Sequence, residues 1–116
     1  MKLIKIIFFL ILVSSNLNAN TDYFNEGLLF YEKKEFNKAK FKFEQDIVFN
    51  PKNEESYLYL SKIFNVQEKK DLEEKNLNTV ILLNPKNEEA TFNLVQLKFK
   101  KSDFSESKKL IENLLN

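Results

Sequence analysis

The chain of 116 residues is long enough for one compact domain, and a 43% hydrophobic content supplies its core. Its 18 basic residues are all lysine and are balanced by 17 acids, which argues against a nucleic-acid surface, where a basic face and arginine forks carry the contacts. The sequence holds neither cysteine nor histidine, which removes disulfides, zinc-thiolate sites, a thiol nucleophile and the usual general base. Twelve Phe against a single Gly and two Pro favour helices with short connections over loop-rich β scaffolds.

Residues 1–19 read as a secretory signal peptide. Lys2 and Lys5 give a positive start, residues 6–13 are an unbroken apolar run, and residues 14–19 are polar with small side chains. The run is far short of the roughly 20 apolar residues that a transmembrane helix needs. Cleavage after Ala19 is the natural site, although Leu17 is larger than the residue usual there. The expectation is export to the periplasm or the extracellular space, with membrane contact only through the signal segment before cleavage. An uncleaved membrane anchor is the alternative.

Over residues 21–33, Tyr23, Phe24, Leu28, Phe30 and Tyr31 recur at helical spacing with Gly27 among them, and a second amphipathic run follows over residues 36–49. The link around Lys34 and Glu35 is so short that the two helices must form an antiparallel hairpin. The next corner, Asn50-Pro51-Lys52-Asn53-Glu54-Glu55, returns letter for letter as Asn84-Pro85-Lys86-Asn87-Glu88-Glu89, so the step from Pro51 to Pro85 sets the period of an internal repeat. Each proline stops the preceding helix, each following asparagine caps a new one, and the paired glutamates sit where the helix dipole favours them.

These residues resemble the tetratricopeptide repeat, a helical hairpin of about 34 residues repeated in tandem. Tyr23, Gly27, Phe30, Phe36, Ala39, Phe43 and Pro51 stand at the family's places in its order. The second unit keeps Tyr57, Leu60, Ser61, Phe64 and Pro85, but has Lys70 and Glu73 where an aromatic and an alanine are usual. Leu72, Leu77, Val80, Ile81 and Leu83 must then supply its apolar face. Looser packing is expected there, because a glutamate between helices has to reach water or find a partner. The third unit keeps Leu94, Phe104, Ser107, Ile111 and Leu114, with Val95 replacing the small residue and Lys98 an aromatic. The resemblance implies an all-α chain of tandem helical hairpins stacked as a right-handed α-solenoid, with about six helices plus the signal-peptide helix, in units 20–53, 54–87 and 88–116.

In that family the first helix of each hairpin lines a concave wall that receives an extended peptide or a helix. Carried over, the resemblance places Phe24, Leu28 and Tyr31, then Leu58, Lys62 and Asn65, then Phe92, Gln96 and Phe99 on that wall. Phe24, Leu58 and Phe92 would form one apolar stripe, unless they belong to the core. Chaperone-binding members clamp a terminal carboxylate with Lys and Asn, but Phe24 and Leu28 hold the matching places of the first unit, so an apolar or mixed peptide is expected instead. At the far end, Leu110, Ile111, Leu114 and Leu115 either pack inward on the third unit or stay open for another copy or a larger partner.

The remaining residues carry little chemistry. Ser56, Ser61, Ser102 and Ser107 lack a nucleophile elbow and fit caps and small packing positions. Gly27 is alone within a helix and reads as close helix packing, not a phosphate loop. Adjacent carboxylates such as Glu54/Glu55, Glu73/Glu74 and Glu88/Glu89 do not share a helix face. The expectation is a non-enzymatic adaptor of the bacterial cell envelope that binds a protein or peptide, with no cofactor, metal or nucleic acid. The alternative is an assembly subunit, self-associating or docking through its last helix.

Overall fold

The computed structural model describes residues 22–116, and the export segment expected at residues 1–19 lies outside them. The described residues form six helices and no strand: α1 (Tyr23–Glu32), α2 (Phe36–Phe49), α3 (Glu54–Val66), α4 (Lys70–Leu83), α5 (Glu88–Lys100) and α6 (Phe104–Leu115). Each helix packs chiefly on its neighbours in sequence, so the expected all-α solenoid of paired helices is the architecture that forms.

Local chemistry sets where these helices begin. Asp22, Asn53, Asn87 and Asp103 each accept a hydrogen bond from a first-turn backbone N–H, at 3.1, 3.2, 2.9 and 3.3 Å. Glu54, Glu55, Glu88 and Glu89 occupy the first turns of α3 and α5, beside the positive end of each dipole. Within each hairpin the helix ends in a repeated device. Lys34, Glu68 and Ser102 stand at the same place in successive repeats and adopt the left-handed conformation at φ of 59°, 57° and 60°. The N–H of the following residue reaches back to Phe30, Phe64 or Lys98 at 2.9, 2.9 and 2.8 Å, which closes a Schellman turn each time.

None of these three left-handed residues is glycine, so each turn is held against the steric cost of a Cβ. Glu68→Gly is expected to raise stability by about 0.5–1 kcal/mol, the relief of that cost less the extra freedom of glycine in the unfolded chain. Chemical denaturation would read this as a higher midpoint, and a lower one would show that the Glu68 side chain matters in the turn.

The core is shared between units. One cluster joins Ala39 and Phe43 of α2 to Leu60, Ile63 and Phe64 of α3, with Phe24, Leu28, Phe30 and Tyr31 of α1 packed against it. The other joins Leu58 of α3 to Leu77 and Val80 of α4 and to Ala90, Leu94 and Leu97 of α5, with Leu110 of α6 alongside. No hairpin closes a core alone, which is why the repeats must stack. Gly27 has the role expected of it: an added Cβ would stand 2.6 Å from Cε1 of Phe43.

The second hairpin differs from expectation in one side chain. Leu72 is exposed and contributes nothing to the apolar face assigned to it, because the register of α4 turns Leu77 and Val80 inward instead. Glu73 is buried between the helices and finds the partner its charge demands, accepting a hydrogen bond from Asn65 Nδ2 at 2.9 Å.

Lys98, at an aromatic's place in α5, is also buried and ties three helices. Its ammonium lies 2.6 Å from Glu74 of α4 and 2.7 Å from Glu106 of α6, and Lys101 also meets Glu74 at 2.6 Å. Hydrogen bonds from Lys101 and Lys98 hold the Glu74 carboxyl below its ordinary value of 4.5. Burial alone would pull Lys98 down, but its bonds to Glu106 and Glu74 outweigh this and raise it above 10.5. The network therefore stabilises fully between those two ordinary values. Its contribution is lost as pH falls through the depressed Glu74 value, and again as pH rises through the elevated Lys98 value. Lys98→Met is expected to cost about 1.5–3 kcal/mol near neutral pH. Glu74→Gln should lose less stability than the parent chain on acidification below 4.5, which urea midpoints across pH would measure.

Candidate partner-binding groove

The first helices of the second and third hairpins, α3 and α5, stand side by side, and a groove of about 310 Å³ opens between them. Lys62 and Asn65 of α3 form one bank, Glu89, Asn93, Gln96 and Lys100 of α5 form the other, and Tyr31 of α1, Ser61, Val66 and Glu73 complete the lining. The α5 residues recur at spacings of four and three, one stripe of a helix. Lys62 bridges the banks through an ion pair with Glu89 at 2.7 Å, and its ammonium also lies 4.7 Å from the centre of the Tyr59 ring. Tyr59 is fixed in turn by Tyr31, edge-on at 5.0 Å, and by Phe43, stacked at 5.2 Å. The wall is thus anchored directly on the core.

Of the residues expected to meet a partner, Tyr31, Lys62, Asn65 and Gln96 come together in this groove. Phe92 and Phe99 are 56% and 49% exposed and flank it on α5, with Phe99 edge-on to Phe104 at 5.6 Å. The apolar stripe does not form. Leu58 is 7% exposed and belongs to the core, and Phe24 and Leu28 pack against the first core cluster, Phe24 lying 5.8 Å from Phe43. The groove therefore offers hydrogen-bonding amides, Lys62 paired across it and the exposed Lys100, with exposed aromatic surface beside it.

Sequence reading missed Glu73, Glu89, Asn93 and Lys100. The three on α5 share the helical stripe of Gln96 and were open to detection by spacing. Glu73 comes from a second helix, and its only signal was the departure from a small residue at that place.

The Ser61 and Ser107 hydroxyls are engaged by backbone carbonyls. Ser61 Oγ donates to the Leu58 carbonyl at 2.6 Å, and elsewhere Ser107 Oγ donates to the Asp103 carbonyl at 3.0 Å, so both serve packing and caps. Among the described residues no helix is long and apolar enough to cross a membrane. At the last helix Leu110 packs inward, whereas Ile111, Leu114 and Leu115 are 37%, 40% and 81% exposed.

No protein-family model matches the chain, and no curated protein matches it in sequence. Solved structures do. The chain is similar to the CopN-Scc3 complex at a TM-score of 0.73 and 17% identity, covering 79% of this chain and 54% of that one. It is similar to the MamA RS-1 ArsTM double mutant at a TM-score of 0.76 and 15% identity, over 86% of this chain and 57% of the other. It is also similar to the Sgt2 TPR domain from Aspergillus fumigatus at 0.69 and 19% identity, over 78% and 60%. The chain thus spans a little over half the length of the solved chains it matches. At these identities the likeness is one of fold, and that fold is the tetratricopeptide-like α-solenoid.

Proposed function

We propose that the chain is a non-enzymatic protein-interaction module of the bacterial cell envelope, which holds a partner segment in the groove between α3 and α5. The observation that carries this reading is the convergence of Tyr31, Lys62, Asn65 and Gln96 from three different helices on one open groove. Side-chain amides there match the donors and acceptors of an extended peptide backbone, and Phe92 and Phe99 add apolar area at its edge. A partner of mixed polarity suits this surface better than the wholly apolar one that a Phe24-Leu58-Phe92 stripe would take. Likeness to a complex of two proteins supports a protein partner. Export through residues 1–19 is part of the proposal, and a mature chain beginning at Asn20, read by mass spectrometry, is its test.

The groove is tested by placing a photo-crosslinking residue at Gln96 and, separately, at Lys75 on the outer surface, in the native envelope. Capture of a protein from position 96 and not from 75, weakened by Phe92→Ala with helicity intact, is expected. Equal capture from both positions would remove the groove from the account. A second reading, an assembly subunit working through its last helix, is favoured by the exposure of Ile111, Leu114 and Leu115.

A further inference from the structure

We infer that the open face of α6 receives one helix of a partner protein, carrying a small residue, large aliphatic residues four and seven positions later, and an acid eight or eleven positions later. This deepens the assembly reading above, on which it rests, by naming the chemistry of what docks.

The pattern is set by the chain's own two junctions between hairpins. Where α3 lies on α2, Ser56 meets Asp46 at 2.5 Å at one end and Gln67 meets Asn37 at 3.1 Å at the other. Where α5 lies on α4, Ala90 and Leu94 share a buried cluster with Val80 and Leu77, and Lys98 and Lys101 reach Glu74 at 2.6 Å. Ser56 and Ala90, Gln67 and Lys101, and Asn37 and Asp71 are each separated by the Pro51-to-Pro85 step, so the two antiparallel junctions share one register. The same step taken once more converts Leu77, Val80 and Glu74 into Ile111, Leu114 and Lys108 of α6. Leu77 and Val80 are fully buried in a cluster with Ala90, Leu94 and Leu97 of α5 and Leu58 of α3, whereas Ile111 and Leu114 are 37% and 40% exposed. The last helix presents the same kind of surface with nothing over it among the described residues.

That register dictates the occupant. By the register of the Ser56–Asp46 bond, a small residue belongs over Leu114, at Ala90's place relative to Val80, and a leucine-sized side chain over Ile111, at Leu94's place relative to Leu77. The charge is reversed: Lys108 stands where Glu74 stands, so the arriving helix needs an acid where α5 bears Lys98 or Lys101. A second copy does not supply such a helix. In a folded copy α3 and α5 carry the aliphatic pattern but are already buried in their own junctions. α1 presents Asp22 and Glu26 at the places of Ser56 and Leu60, which would press two carboxylates onto Leu114 and Ile111.

The test uses the full chain and a fluorescent peptide of residues 87–101 carrying Lys98→Glu, in which Ala90, Leu94 and Leu97 supply the pattern. Saturable binding is expected, weakened about tenfold by Leu114→Glu. Lys108→Glu, a change at an exposed position, should reverse the preference so that the peptide with its natural Lys98 binds better. No saturable binding, or binding indifferent to both changes in α6, overturns the inference. If the chain instead sediments as a dimer that Leu114→Glu dissociates, the assembly reading stands and the partner helix is overturned. A strict monomer that binds neither peptide removes both.

Discussion

Phe43→Ala is expected to cost about 3–5 kcal/mol, the range for truncating a buried aromatic, and in a domain this small that approaches the whole of its stability. Phe43 is fully buried and holds three helices at once. Its ring stacks on Tyr59 of α3 at 5.2 Å, faces Phe24 of α1 at 5.8 Å, and rests against the bare backbone of Gly27. Gly27→Ala attacks the same contact from the other side. The new methyl would stand 2.6, 2.8 and 3.0 Å from three ring carbons of Phe43, closer than van der Waals contact allows. With Tyr59 stacked on it and Phe24 tilted against it the fully buried ring has little room to shift, so the expected cost is about 1–3 kcal/mol, even though alanine gains roughly 1 kcal/mol in helix propensity over glycine. Combining Gly27→Ala with Phe43→Leu removes the clash, and the double variant should be less destabilised than the sum of the two changes. Denaturant midpoints of the four proteins measure this coupling. A stabilising Gly27→Ala would show that α1 and α2 can separate at no cost, contrary to the packing described.

The same contact explains how much of the molecule was legible beforehand. Hairpin order followed from the repeated proline corners, because Pro51, Pro85 and the capping asparagines act through local backbone chemistry that needs no tertiary context. Gly27 was legible for the same reason, as a lone small residue amid aromatics. The wall was read less well. The family resemblance placed Tyr31, Lys62, Asn65 and Gln96 on the wall, and all four line the groove, but it could not separate Leu58 from Phe92, which occupy equivalent places in successive repeats. Leu58 is covered because side chains of α4 and of α5, in the following hairpin, close over it, while Phe92 on α5 has no following hairpin over it among the described residues and is left open. Burial at equivalent positions depends on what the neighbouring repeat contributes, a long-range property that periodicity does not encode. The left-handed turns at Lys34, Glu68 and Ser102 were hidden for another reason: no glycine marked them.

The first corner supplies the second large effect, and the second corner supplies its control. Asp46 is a buried carboxylate that accepts from Asn50 at 2.8 Å, from Asn53 at 2.7 Å and from the buried Ser56 hydroxyl at 2.5 Å. At the second corner, one repeat further on, Val80 and Ala90 replace Asp46 and Ser56 in a dry contact, and the asparagine pair Asn84 and Asn87 donates to Glu54 instead. One backbone turn is thus built with polar contents once and apolar contents once. Asp46→Val alone is expected to cost about 1–3 kcal/mol, because it removes the carboxylate oxygen that accepts from both the Ser56 hydroxyl and the Asn53 amide. Ser56→Ala alone is expected to cost about 1 kcal/mol, since the carboxylate keeps its two asparagine donors. Made together, the changes recreate the Val80 and Ala90 pairing of the second corner, and Asn50, being exposed, can turn to water, but half-buried Asn53 loses both of its acceptors. The pair should then cost only about 1 kcal/mol, for the Asn53 amide left without its acceptors, and the four midpoints should give a coupling energy of about 1–3 kcal/mol. Strict additivity would mean that the carboxylate is held by the asparagines alone, and that the serine contributes only its small size.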